Sequence, residues 1–183
     1  MSEEKIKMWS LQSKVVAETL QRDGVSFVRR EYIDQKYGSE AWIFHKAYHF
    51  LAVEAQKRIK RPEGAQYMVW SFADLERLTG RGEILFELEI PREEILLFDL
   101  RDWEKILSLK YLGEQGEKFE RELERSGIQE VSDVFSKPYY RAFQSKVIKS
   151  WTNLLKRKEI DSKYCQGATW KLDKSWIRSK ICL

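Results

Sequence analysis

Two glutamines, an aspartate and a pair of histidines are the residues of this chain best placed to do chemistry. His45 and His49 in "FHKAYHF" stand four apart, so a helix would put both imidazoles on one face at a spacing that can hold a metal ion. The zinc-hydrolase pattern also needs Glu after the first His, where this chain has Lys46, and no third ligand is nearby. The pair reads as solvated or core-edge histidines, and no metal is expected. Asp99 ends the apolar run "ILLFDL". That is where a strand presents a site carboxylate, and equally where Asp caps a following helix, here "RDWEKIL".

Gln12 and Gln166 belong to an opening and a closing strand. The closing one starts "QGATWKL", small and polar for a segment that ends in core-forming residues. Glycine inside a strand marks a place where something approaches the backbone closely. Alternation puts Gln166, Ala168 and Trp170 on one face and Gly167, Thr169 and Lys171 on the other. Trp170 and Leu172 are expected to face one way, onto a helix stripe of Phe143, Val147 and Trp151. Gln12 and Gln166 are expected to converge on the rim of one pocket, with Asp99 pointing into it.

Other chemistry-bearing patterns are weak. "GRG" at 80–82 lacks the Lys-Ser or Lys-Thr ending of a phosphate loop and leads into a strand, so it reads as a turn. There is no G-x-S-x-G elbow, and Cys165 and Cys182 have no base partner in sequence. Seven Trp accompany eight Tyr and nine Phe. Trp9, Trp70, Trp103, Trp151 and Trp170 stand in or beside apolar stretches and read mostly as core, their indole N–H groups needing partners such as Gln12 or Gln166. The last quarter is basic: residues 137–183 hold twelve Lys or Arg against three acids, a balance of +9, while the first 136 residues stand at −5. Lys146, Lys149, Lys156, Arg157 and Lys158 are the candidates for contacting an anionic partner, nucleic acid or protein, if that quarter is a binding face.

The elements that must position these residues follow from periodicity. "IKMWSL" alternates as a strand. "KVVAETLQRD" reads as a helix between a Ser13 cap and a Gly24 stop. The longest early helix is expected in "KYGSEAWIFHKAYHFLAVEAQKRIKRPEG", ended by Pro62 and Gly64. "AQYMVWSF" reads as a buried strand. In "ILFELEIP", Phe86, Leu88 and Ile90 line one face while Leu85 and Glu87 take the other. A short strand to Asp99, a helix, a mixed-charge segment at 114–136 and an amphipathic helix from Tyr139 complete the order. That segment is predicted to be an exposed helix or a charged excursion. The fold class is α+β, one domain over 1–183, with a mixed, mostly antiparallel sheet flanked by helices. No apolar run exceeds four residues, the first ten residues lack a signal-peptide core, and two late cysteines suit a reducing interior. A cytoplasmic protein with no membrane partner is expected.

Read together, "KMWSLQ", "LQRDG", "KAYHFLAVEAQKRIKRPEG", "MVWSF", "LFELEIPREEILLFDLRDWEKILS", "KSW" and "QGATWKL" resemble, in order, a bacterial family catalogued as domain of unknown function 3841. The residues that persist from its pattern are Trp9, Gln12, Tyr48, Trp70, Asp99, Trp103, Trp151, Gln166, Thr169 and Trp170. The chain departs at Phe98, Glu104 and Lys171, where the family carries Ser, His and Glu. The element order is also similar to ADP-ribosyltransferase-like folds, which hold NAD in a cleft between two small sheets. This second likeness implies NAD or another nucleotide as ligand and Gln166 at the cleft with Thr169 beside it. It puts Gln12, Asp99 and Gln166 forward as catalytic positions, and Trp9, Trp70 and Thr169 as cofactor-binding ones. The usual Arg-Ser-Glu or His-Tyr-Glu triad has no counterpart here. The rival expectation is a non-enzymatic module that binds nucleic acid or protein through residues 137–183.

Overall fold

A computed structural model describes residues 4–78 and 82–183. Six strands form one sheet in the order β5-β6-β3-β1-β4-β8, and two short strands, β2 and β7, pair separately. Every strand pairing among the described residues is antiparallel. The expected parallel component is not among them. The strands are β1 (Lys5–Gln12), β2 (Val25–Ser26), β3 (Val69–Phe72), β4 (Ile84–Pro91), β5 (Leu96–Asp99), β6 (Cys165–Thr169), β7 (Leu172–Asp173) and β8 (Ile177–Cys182). The helices are α1 (Lys14–Asp23), α2 (Arg30–Tyr37), α3 (Ala41–Ala55), α4 (Leu100–Leu107), α5 (Gly116–Arg125) and α6 (Arg141–Ser150). The architecture is α+β.

Two cores lie on opposite faces of the sheet. The first joins Leu96, Phe98, Ala168 and Trp170 to Leu51 and Ala55 of α3, Trp103 and Ile106 of α4, Val147 of α6, and Trp151. The second joins Met8, Phe86, Leu88 and Ile90 to Leu20 of α1, Leu172 and Trp176. This split follows from strand alternation: successive side chains point to opposite faces, so one strand serves both cores. In β6, Gly167 points to the second core. A Cβ there would lie 2.5 Å from Ile95 Cδ1, 2.7 Å from Ser71 Oγ and 2.9 Å from Met8 Cε. The close approach that the "QGAT" stretch suggests is therefore made by the protein's own side chains.

Several elements match their sequence signals. Ser13 caps α1 by accepting from the Val16 N–H, and Gly24 ends it in the left-handed conformation (φ 77°). Asp99 caps α4. Others differ. A helix with no sequence-based expectation, α2, precedes α3. The latter stops at Ala55, seven residues before Pro62, because the chain turns at 56–59 to bring Ile59 into the first core. The charged stretch at 114–136 carries α5, which buries Phe119 and Leu123 in that core together with Val134 and Phe135. Trp170 and Leu172 do not face one way. β6 ends at Thr169, whose Oγ1 donates to the Lys171 carbonyl (2.7 Å), and the turn sends Trp170 to the first core and Leu172 to the second. The turn read at 80–82 falls, in Gly80 and Arg81, outside the described residues.

Candidate functional site

The sheet is not evenly stitched. β1 pairs with β4 along its whole length, from Lys5↔Pro91 to Gln12↔Ile84, but meets β3 at a single pair, Trp9↔Phe72. Beyond that pair the two strands part. Side chains take over from the ladder: Ser10 Oγ donates to the Trp70 carbonyl (2.7 Å), and Gln12 Nε2 donates to Ser10 Oγ (2.8 Å). Over this seam opens a cleft of about 990 Å³. Its other walls are α1, the β2 strand with the turn after it, α2, and the near sides of α3 and α4.

The cleft is aromatic. Phe27, Tyr32, Tyr37, Phe44, Tyr48, Trp70, Phe72 and Trp103 line it. These rings support one another: Tyr37 stacks on Phe44 with centroids 3.5 Å apart, and Tyr48, Trp70 and Trp103 pack mutually at 5.2–6.0 Å. Aromatic groups held this way form a preset, largely apolar surface against which a planar molecule can lie. Burial pushes the Tyr48 phenol up from its ordinary value, with the neighbouring Tyr37 adding to the effect, so it stays a hydroxyl donor at neutral pH. Arg22, Arg29 and Lys36 are exposed residues of its lining. Arg22 is engaged by Asp23 through two bonds of 2.8 Å. Glu104 also lines the cleft.

Gln12, Trp70 and Gln166 all line this one cleft; Trp9, Asp99 and Thr169 are not among its lining residues. Gln12 shares a strand face with Met8 and Ser10, whereas Gln166 shares one with Ala168 and Trp170. They reach the same space from opposite faces because the sheet is parted between them. Gln166 is 3 % exposed, and its Oε1 has no hydrogen-bond partner among the described residues. Asp99 is committed elsewhere. It accepts from the Arg101 backbone N–H (2.9 Å) and from the Arg101 guanidinium (2.6 and 2.9 Å), which holds its carboxyl below the usual carboxylate range. Thr169 is occupied in the turn described above, and Trp9 lies under Lys7, whose Nζ is 5.1 Å from the ring centroid.

Two of the indoles find their partners on the backbone and not on glutamines: Trp151 donates to the Lys110 carbonyl (2.8 Å) and Trp170 to that of Ile59 (3.2 Å). His45 sits between Asp34 (2.6 Å from Nε2) and the Tyr67 hydroxyl (2.8 Å from Nδ1), while His49 is exposed. In the basic quarter, Lys146 pairs with Glu122, Lys156 bonds Asn153 (3.1 Å) and Arg157 bonds Asp102 (2.8 Å). Lys149 lines a smaller polar depression with Lys146 and Lys156, and Lys158 is exposed. Among the cleft residues that sequence reasoning did not name as site residues are those of α2, together with Phe44, Tyr48 and Trp103. Tyr48 and Trp103 carried a signal, as persisting positions of the family pattern; α2 carried none.

The family model described as a domain of unknown function (DUF3841) matches residues 7–178, and the chain belongs to that family. No curated protein matches the chain. No solved structure matches it. None of the helices is long and apolar enough to cross a membrane among the described residues.

Proposed function

We propose that this member of the domain of unknown function 3841 family is a nucleotide-binding protein whose aromatic cleft takes the planar ring of the ligand, with NAD the leading candidate. The observation that carries this reading is Gln166, a buried carboxamide with an unpartnered oxygen in the wall of an aromatic-lined cleft. A buried acceptor without a donor costs about 1–3 kcal/mol, and a ligand that supplies the donor removes that cost. Stacking of a base on aromatic side chains contributes about 1–3 kcal/mol per base, so a ring laid against Trp70, the partly buried member of the Tyr48–Trp70–Trp103 cluster, has both attraction and orientation. Arg29 and Lys36 give the lining the charge that a phosphate needs. The volume, about 990 Å³, lies at the upper end of the range of small-molecule sites, about 300–1,000 Å³.

NAD comes forward as the nucleotide from the resemblance in element order to ADP-ribosyltransferase-like folds, which hold NAD in a cleft between two small sheets; no solved structure matches the chain. Transfer of the ADP-ribosyl group, with loss of nicotinamide, is the reaction class we attach to this reading. Glu104 is the carboxylate nearest to hand for such chemistry, as a lining residue with no ion pair among the described residues. The alternative, a nucleic-acid face on the C-terminal quarter, has less support: three of its five candidate cations are engaged by neighbouring side chains. Calorimetric titration with NAD, alongside release of nicotinamide from labelled NAD, tests the proposal. Saturable binding lost in Trp70→Ala supports it. Absence of binding by NAD and by mononucleotides, with a gel shift at low salt, would favour the alternative.

A further inference from the structure

We infer that Gln166 reads the edge of the ligand's planar ring, selecting one that offers an N–H donor beside an acceptor: an unionised carboxamide, or an amino group next to a ring nitrogen. This rests on the nucleotide reading above and names the ligand's recognised edge. In the register of the sheet Gln166 lies between Phe72 on β3 and Phe98 on β5, so its two flanking positions are apolar. Phe72 also lines the cleft. A ligand group that meets the carboxamide therefore loses its water, and an ionised group there is disfavoured.

A glutamine side chain carries an acceptor and two donors in one plane, and rotation about its last torsion presents either end. Its natural complement has the same pair reversed, as when an amide binds the adenine edge through two parallel bonds. A primary carboxamide on a pyridine ring offers the same donor and acceptor. The other polar groups nearby are less suited to this reading role. The Gln12 amide nitrogen is engaged by Ser10, whose hydroxyl is itself fixed on the Trp70 carbonyl. Asp99 is not a lining residue. Gln166, whose buried oxygen has no partner and turns to the cleft by rotation about the last torsion, is the position where ligand identity is set.

The test uses matched pairs that differ in the donor: nicotinamide mononucleotide against nicotinic acid mononucleotide, and adenosine monophosphate against the 6-chloropurine ribotide. Each is titrated into the full chain as wild type and as Gln166→Leu, with a thermal melt confirming that the variant is folded. Gln166→Met, which keeps the length and removes the polar atoms, serves if the leucine variant does not fold. Whichever amide- or amino-bearing ligand binds, its analogue is expected to bind at least tenfold more weakly, and the substitution should erase that ratio. Equal affinity within a pair in the wild type, or discrimination that survives the substitution, overturns the inference while leaving the nucleotide cleft standing. Failure of NAD and of all four mononucleotides to bind overturns the nucleotide reading and this inference with it.

Discussion

Asp99 and Gln166 lie one register step apart on neighbouring strands, Asp99 opposite Cys165 and Gln166 opposite Phe98. Both are almost fully buried, at 1 % and 3 % exposure. At the entrance to α4 the carboxylate is bound by one backbone N–H and a bidentate guanidinium, and that guanidinium lies over the Tyr164 ring at 4.0 Å. At the cleft wall the amide oxygen has no partner. A buried polar group whose bonds are all made by protein is there to fix the fold. One left without a partner is a stability cost that the fold carries, and binding of a donor from outside can relieve it. Sequence placement, Asp99 at the end of one strand and Gln166 near the start of another, did not separate the two cases; bond satisfaction does.

The largest effect sharpens the scale for that comparison. Trp170 lies four residues from Gln166, has no exposed surface, and has its indole N–H satisfied by the Ile59 carbonyl. Trp170→Ala is expected to destabilise by about 3–5 kcal/mol, as for other fully buried large aromatics. Urea unfolding measures it, and an unchanged midpoint would mean that the first core does not depend on this strand end.

Asp99→Ala comes next, at about 1–2 kcal/mol, because it removes both the α4 cap and the partner of Arg101. The pH dependence has a defined sign. Asp99's carboxyl is held below its ordinary value, so its contribution is present in full above the unfolded carboxylate pKa of about 3.9 and is lost as pH falls through the lower folded value. The gap between wild type and Asp99→Ala should therefore be wide at pH 7 and narrow toward pH 3. A gap that widens on acidification would contradict the assignment of Asp99 to the fold.

A third effect, smaller again, tests a solvent-exposed ion pair between β1 and β4. Lys7 pairs with Glu87 at 2.6 Å, and its own side chain is 61 % exposed. Lys7→Met should cost little, and less at high salt. A double-mutant cycle with Glu87→Gln would isolate the pair, and a coupling as large as the Asp99→Ala effect would show that this face is less solvated than its exposure indicates.

Much of the fold was legible where the signal was local. The Ser13 and Gly24 caps and the alternation of "FELEI" each depend on a few consecutive residues and on rules that hold whatever surrounds them. What was not legible depended on distant partners. "REYIDQKY" buries one residue, Ile33, and is otherwise polar, so α2 has no apolar stripe to announce it; it is held by packing on α3 and by Asp34 reaching His45. The parting of β1 from β3 is a relation between strands some sixty residues apart, and that parting makes the cleft. The two glutamines were readable as a pair of interest because both are polar in strands that otherwise serve the cores. That they reach one cavity from opposite faces of the sheet was not readable, since alternation alone assigns them to different sides.

The smallest expected change in stability is the one that separates the two buried groups most sharply. Gln166→Leu replaces an amide by an apolar group of similar volume between Phe72 and Phe98. Had Gln166 been a bonded structural residue, the loss would leave its partners unsatisfied and cost roughly as much as Asp99→Ala. With its oxygen already unpartnered, substitution removes a desolvated acceptor and strands none bonded to it, so the melting temperature should stay level or rise. In the same variant the preference for the amide- or amino-bearing ligand over its analogue should disappear. Such a pairing, stability retained or gained while discrimination disappears, is what a residue kept for function against the interest of the fold produces. A fall in stability of more than about 1 kcal/mol, read by the same urea titration, would place Gln166 with Asp99 among the groups that hold the fold together.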